Sequence, residues 1–289
     1  MNSNSATALA AVVTLTFASL SGCGSDPSTP SEAQRPAPRA STPAASTPAG
    51  LDGVVKIDGD RGLYVRCTGT GSPTVIMEAG DESTTDYYGF AEETLANVTR
   101  TCVYDRANLG QSDPDPGPRG LVELVGDLEG VIEAAKIPGP YVMVGSYGGG
   151  YIVAGYASEH PEQIAGMVLV EATAPFLNAP PLVVELTRWD HPDNVEQRDF
   201  LQVEKDAWAA RRRIGDIPMT VISTKYPPEA IKQGLPGEAS LKRTNVQSQR
   251  GWLLLSPRAD QVVFRGSAVE HEDPDLIVEQ ILAVVEAAR

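Results

Sequence analysis

The sequence contains few of the residue types that bind metals or nucleic acid. Its 289 residues include 3 His and 3 Cys, too few for a zinc-ribbon array or a disulfide-dense scaffold. Lys and Arg total 23 against 38 Asp and Glu, so the formal net charge is −15. A chain this acidic repels phosphate backbones, and nucleic acid is not an expected partner. Glycine motifs for nucleotides and histidine clusters with metal spacing are also absent, so neither a cofactor nor a metal is expected.

Long apolar runs are absent beyond the N-terminus. The uncharged run over residues 7–20 is short for a bilayer span but has the length of a signal-peptide core. The segment Leu20-Ser21-Gly22-Cys23 follows directly and resembles the lipobox of bacterial lipoproteins, in which the cysteine is lipidated. We therefore predict a signal peptide over residues 1–22, a lipid on Cys23 and export to the outer face of a bacterial cell membrane. An ordinary secretory signal with a chance cysteine is the alternative.

Composition separates a linker from a folded domain. Residues 23–50 are mostly Pro, Ser, Thr and Ala, which predicts a disordered spacer. Residues 51–289 are predicted to form one domain, in which short apolar strands alternate with helices, as in a parallel sheet covered on both faces. The predicted strands are 54–65 (a pair joined by a turn at 58–60), 73–77, 100–104, 141–144, 166–170, 218–223 and 261–264. An insertion at about 172–216, rich in Pro, Trp and charge, fits a lid over the carboxyl ends of the strands.

Four segments of this domain resemble the α/β-hydrolase fold. They are TVIMEAG at 74–80, YDRANLGQSDP at 104–114, PYVMVGSYGGG at 140–150 and EHPEQIAGMVLV at 159–170. The resemblance implies an eight-stranded, mostly parallel sheet flanked by helices, and an esterase- or lipase-like activity. In that sheet the second and fourth strands are neighbours, which implies a disulfide between Cys67 and Cys102. Two buried free thiols are the alternative.

The position of the nucleophile in this fold is a strained turn flanked by small residues. Gly145 and Gly149 have the required spacing around Tyr147, so the register of the family puts a tyrosine at the turn. Shifting the register by one residue would put Ser146 there instead, with Val144 in place of the first glycine. Chemistry favours Ser146, because a phenol with a pKa near 10 is a slow acyl acceptor.

The other catalytic groups are implied by the same resemblance. His271, in the loop before Pro274, is the candidate base, although it lies closer to the proline than the family spacing would place it. Glu171, at the end of a strand, is the candidate that orients the base. The backbone around Gly80, Asp81 and Gly148 would form the oxyanion hole, where the charge of Asp81 is unfavourable. The remaining histidines, His160 and His191, are expected to be structural or exposed.

Two hypotheses for the function follow. The first is an exported hydrolase of a small carboxylic ester or amide, using Ser146, His271 and Glu171. The second is a member of the fold that has lost acyl chemistry and binds a ligand or a partner in the cell envelope. The identity of the residue at the turn separates the two hypotheses.

Overall fold

The computed structural model describes residues 50–172, 181–225 and 246–289. The predicted signal peptide, the lipobox cysteine and nearly all of the linker lie outside these residues. The described residues form one sheet of eight strands in the order β1-β2-β4-β3-β5-β6-β7-β8. The strands are β1 Leu51–Asp58, β2 Arg61–Thr68, β3 Thr74–Glu78, β4 Thr101–Tyr104, β5 Tyr141–Ser146, β6 Ile164–Val170, β7 Met219–Thr224 and β8 Ala259–Phe264. Pairing is antiparallel in β1–β2 and β2–β4 and parallel elsewhere, so the predicted sheet is confirmed.

Helices cover both faces of the sheet. They are α1 Gly89–Ala96, α2 Leu121–Ala134, α3 Gly148–Glu159, α4 Pro181–Leu186, α5 Phe200–Ala210, α6 Val269–Glu272 and α7 Pro274–Ala287. Three short 3-10 segments precede α1, β6 and β8, at Thr85–Tyr88, Pro161–Gln163 and Arg250–Leu255. One apolar cluster includes side chains of α2, α3 and α5, and a second includes side chains of α1 and α7. The central strands are apolar on both faces because each face packs against one of these layers.

Part of the insertion predicted at 172–216 packs into the core of the domain. Within it, α5 places Val203 and Ala207 in the first apolar cluster, together with residues of α3. The spacing of four residues puts both side chains on one face of the helix. This part of the predicted lid is therefore packed as a layer of the domain.

The two cysteines of the domain are directly opposite each other. Cys67 in β2 is paired with Cys102 in β4 in the antiparallel register, and their sulfur atoms form a disulfide. Both residues are buried. The disulfide implied by the family resemblance is confirmed. In the described parts of the chain, no helix is long and apolar enough to cross a membrane.

Candidate functional site

Tyr147 occupies the turn between β5 and α3. Its backbone dihedral angles are φ 48° and ψ −120°, a region that L-residues with side chains rarely adopt. The amide of Tyr147 donates to the carbonyl of Val170 at 2.8 Å, and the carbonyl of Tyr147 accepts from Gly150 at 3.0 Å. Hydrogen bonds to β6 and to α3 therefore hold Tyr147 in this conformation from both sides.

The two glycines that flank Tyr147 are required by close contacts. A Cβ atom on Gly145 would lie 2.6 Å from Val153 Cγ2 and 2.7 Å from the Gly149 carbonyl oxygen. A Cβ atom on Gly149 would collide with the backbone at Glu78 and Ala79. The turn thus has the register that the glycine spacing predicts, with Tyr147 between them and Ser146 one residue earlier.

Ser146 is the last residue of β5 and is fully buried. Its Oγ atom shares a hydrogen bond of 2.8 Å with the hydroxyl of Tyr88. The Tyr88 hydroxyl also donates to the backbone carbonyl of Glu78 at 3.1 Å. The serine hydroxyl is therefore held inside the domain, against the 3-10 segment that precedes α1.

The phenol of Tyr147 contacts a carboxylate from a segment near the C-terminal end of the sequence. Its hydroxyl donates to Glu270 Oε1 at 2.7 Å, and Glu270 belongs to the single helical turn α6. The side chain of Glu270 is 9% exposed. Burial raises the pKa of Tyr147 well above its usual value, and the charge of Glu270 raises it further. The phenol is therefore protonated at neutral pH and is a hydrogen-bond donor rather than a nucleophile.

His271, the predicted base, lies next to Glu270 in the sequence but points elsewhere. Its side chain is 81% exposed, and its Nε2 atom is 4.0 Å from Glu270 Oε1. In the described part of the chain it makes no hydrogen bond to Ser146 or Tyr147. Neighbouring residues of a helical turn project about 100° apart, so only one of the two can face the β5–α3 turn. The predicted approach of His271 to this turn is not what the structure shows.

Glu171, the predicted orienter of the base, is buried and follows β6 as expected. Its carboxylate accepts hydrogen bonds from the amide of Thr224 and, at 2.6 Å, from the Thr224 hydroxyl. Thr224 is the last residue of β7. The contacts of Glu171 to Thr224 therefore link the ends of two neighbouring strands.

The turn after β3 is held by three buried charged residues, Glu78, Arg106 and Glu196, which we call the arginine clamp. The guanidinium of Arg106 donates to Glu78 Oε1 at 2.7 Å and to the two oxygens of Glu196 at 2.9 Å. It also donates to the carbonyls of Ala79 and Gly80. Arg106 thus holds the turn after β3 through charged hydrogen bonds, and its partner Glu196 comes from the 172–216 insertion.

The two carboxylates of the arginine clamp respond differently to burial. For Glu196, burial would raise the pKa, but the charges of Arg106 and Arg198 outweigh it and lower the pKa to about 2. For Glu78, burial prevails over the charge of Arg106 and raises the pKa. Glu196 is thus the carboxylate that the arginines hold ionised.

The predicted oxyanion position contains protein charge. Asp81 forms an ion pair with Arg198, and a Cβ atom on Gly148 would collide with the Asp81 carboxylate. The carboxylate therefore lies against the first residue of α3, where an oxyanion would otherwise be stabilised. Beside it, a Cβ atom on Gly80 would lie 3.3 Å from Tyr147 Cδ2, so the tyrosine ring covers the backbone of this turn.

The residues that pair with the turn were not predicted from the sequence. Glu270 lies in the loop for which the sequence predicted His271 as a base, one position before that histidine. Glu196 and Arg198 lie in the insertion, where no local pattern marks them. His160 hydrogen-bonds Glu129 and packs against Tyr156 with 4.7 Å between ring centroids, as expected of a structural residue.

Comparisons with known proteins agree with this architecture. Residues 73–200 match the family model described as alpha/beta hydrolase fold. Over 116 residues the chain is 31% identical to the protein named "Putative carbamate hydrolase RutD" of Azorhizobium caulinodans, covering 40% of this chain and 43% of that protein. Over 126 residues it is 32% identical to "Probable transporter efuK" of Hormonema carpetanum, covering 41% of this chain and 18% of that protein. The chain thus spans less than half the length of these two curated relatives.

A solved structure extends the likeness to the whole domain. A hydrolase from Pseudomonas aeruginosa superposes with a TM-score of 0.63 at 17% sequence identity, covering 83% of this chain and 100% of that one. Together with the strand order and the turn after β5, this establishes the class. The protein has the α/β-hydrolase fold.

Proposed function

We propose that the protein is an exported, lipid-anchored α/β-hydrolase-fold protein that binds a small molecule and does not hydrolyse it through a serine triad. The observation that carries the proposal is the occupant of the β5–α3 turn, where Tyr147 is present with its hydroxyl bonded to Glu270. Hydrolases of this fold place their nucleophile at that turn. A protonated phenol there does not supply the nucleophile that acyl transfer needs.

The other parts of a serine triad are also separated. Ser146 is buried against Tyr88, His271 is exposed, and Glu171 bonds Thr224. A nucleophile and its base must come within about 2.6–3.2 Å of each other. Among the described residues, none of these three hydrogen-bonds another. This arrangement favours binding over hydrolysis.

The place of the site supports a small-molecule ligand. Tyr147 follows β5, and Glu270 follows β8, at the carboxyl ends of parallel strands where open α/β sheets bind ligands. The relatives named as hydrolases favour a small carboxylic ester or amide as the ligand class. Binding without turnover would use the same edge of the sheet with the acyl chemistry removed.

A fluorophosphonate probe tests this proposal. We expect no labelling of the purified protein, with an active serine hydrolase labelled in parallel as the positive control. The Tyr147→Ser variant should remain unlabelled as well, because no histidine faces the turn. Labelling of the natural protein that disappears in Ser146→Ala would restore the serine-hydrolase mechanism and reject the proposal.

The export and anchoring part is tested separately. Cys23→Ala should move the protein from the membrane fraction to the soluble fraction, because one lipid-bearing residue provides the attachment. Ser25→Ala is the matched control, since it changes a neighbour that carries no lipid, and it should stay in the membrane fraction. Retention of Cys23→Ala in the membrane fraction would remove the lipobox from the proposal.

A further inference from the structure

Glu270 has one carboxylate oxygen in use and one that is free. Oε1 accepts from Tyr147, whereas Oε2 is buried and has no hydrogen-bond partner among the described residues. Only 9% of the Glu270 side chain is exposed to solvent. Leaving a buried charged acceptor without a partner costs about 1–3 kcal/mol or more. A bound group that donates to Oε2 would remove this cost.

The cations of the site are already paired with other carboxylates. Arg198 pairs with Asp81, and Arg106 pairs with Glu78 and Glu196. Glu78 also has an oxygen without a hydrogen bond, but Arg106 already neutralises that carboxylate. In the described part of the chain, the charged neighbour recorded for Glu270 is the exposed His271, at 4.0 Å. The missing partner of Glu270 is therefore expected to carry positive charge.

Aromatic rings border the same place. A Cβ atom on Gly80 would lie 3.3 Å from Tyr147 Cδ2 and 3.8 Å from Tyr87 Cε2, so both rings pack beside this turn. Burial raises the pKa of Tyr87, and nearby carboxylates including Glu270 raise it further. Both phenols are neutral at physiological pH. Neutral aromatic rings next to a carboxylate are the surroundings that bind ammonium groups.

We propose that Glu270 and the ring of Tyr147 bind the ammonium group of a small organic cation. The proposal deepens the proposed function, on which it rests for the position of the ligand at the β5–α3 turn. Glu270 supplies the charge, Tyr147 fixes the carboxylate through Oε1, and Oε2 faces the ligand. Within the ligand class proposed above, the compounds that fit carry an amine or a quaternary ammonium group.

Choline and its neutral isostere 3,3-dimethylbutan-1-ol test the proposal. In calorimetric titrations of the full chain, we expect saturable binding of choline and binding of the isostere weaker by about tenfold or more. Glu270→Gln keeps the shape of the side chain and should weaken choline binding by about tenfold without changing the affinity of the isostere. Asp275→Asn is the matched control, because it removes an exposed carboxylate five residues away and should leave choline binding unchanged.

Two results would overturn the inference. One is the absence of saturable choline binding by the natural protein, and the other is an equal affinity for choline and its isostere. Circular dichroism and the urea midpoint of each variant check that it is folded. Fluorophosphonate labelling of the same preparations separates the two proposals. Labelling at Ser146 together with Glu270-dependent choline binding rejects the proposed function alone. An unlabelled protein that does not bind choline rejects this inference alone.

Discussion

The arginine clamp and the Tyr147–Glu270 pair both contact the turn that contains Gly80, and both bury carboxylates. In the arginine clamp, five hydrogen bonds from one guanidinium reach two carboxylates and two carbonyls. In the pair, a neutral phenol donates one hydrogen bond, and the second oxygen of Glu270 has no partner among the described residues. Charge that serves the fold is compensated inside the protein. The carboxylate of Glu270 has no such compensation, and this difference is the observation on which the proposed cation site rests.

The largest effect is expected from removing the guanidinium. Arg106→Met leaves Glu78 buried without its ion-pair partner and leaves Glu196 with only the longer ion pair to Arg198, at 3.9 Å. We expect a loss of about 3–5 kcal/mol in the free energy of unfolding. Urea denaturation measures this change. Arg188→Met removes an arginine whose ion pairs are exposed and should leave the unfolding midpoint unchanged. An equally small effect of both variants would show that the arginine clamp does not hold the fold.

The second prediction concerns acid pH. The folded-state pKa of Glu196 is about 2, below its ordinary value of 4.5. Its ionised form therefore adds to the free energy of unfolding above pH 4.5, and this contribution is lost as the pH falls towards 2. We expect Glu196→Gln to be less stable than the natural protein by up to about 3 kcal/mol at neutral pH. Burial raises the pKa of Glu78 in both proteins, and the charge of Glu196 raises it further only in the natural protein. Urea titrations of the two proteins should converge at low pH, and a constant difference would contradict the assignment.

A smaller effect is expected for the phenol. Tyr147→Phe keeps the ring and leaves both oxygens of Glu270 without a donor, so the free energy of unfolding should fall by about 1–2 kcal/mol. Tyr64→Phe is the matched control, since the Tyr64 hydroxyl donates at the same 2.7 Å to Asp52, an exposed residue. The control should lose less than Tyr147→Phe in urea denaturation. A larger loss of unfolding free energy in Tyr64→Phe would mean that the hydrogen bond from Tyr147 to Glu270 contributes little to stability.

The smallest change is expected for the carboxylate itself. Glu270→Gln removes a buried carboxylate that pairs with no Lys or Arg of the described chain, so the free energy of unfolding should remain within about 1 kcal/mol of the natural value. This result would contrast with Arg106→Met, although both variants change a buried charged residue. A destabilisation as large as that of Arg106→Met would remove the distinction between the two regions. Urea denaturation in the absence of added cations is the measurement.

The sequence by itself determined the class of the domain and the identity of the residue at the turn. Apolar strands alternating with helices predicted the mostly parallel sheet, because a strand buried on both faces has apolar side chains in succession. The spacing of Gly145 and Gly149 placed Tyr147 between them, because the small residues that this turn requires lie two positions before and two positions after its apex. The pairing of Cys67 with Cys102 came from the family resemblance and the strand order it implies. Each of these rests on short-range rules or on a known order of strands.

Only the tertiary structure decided which side chains meet at the turn. Tyr147 and Glu270 are 123 residues apart, and Arg106 and Glu196 are 90 apart, so no local pattern connects them. Whether Glu270 or His271 faces the β5–α3 turn depends on the rotation of the helical turn α6. The packing of the buried Val269 fixes this rotation. A rotation of about 100° separates neighbouring residues on a helix. The sequence could offer both side chains as candidates, but only their packing against the rest of the domain could put the carboxylate inside and the imidazole in solvent.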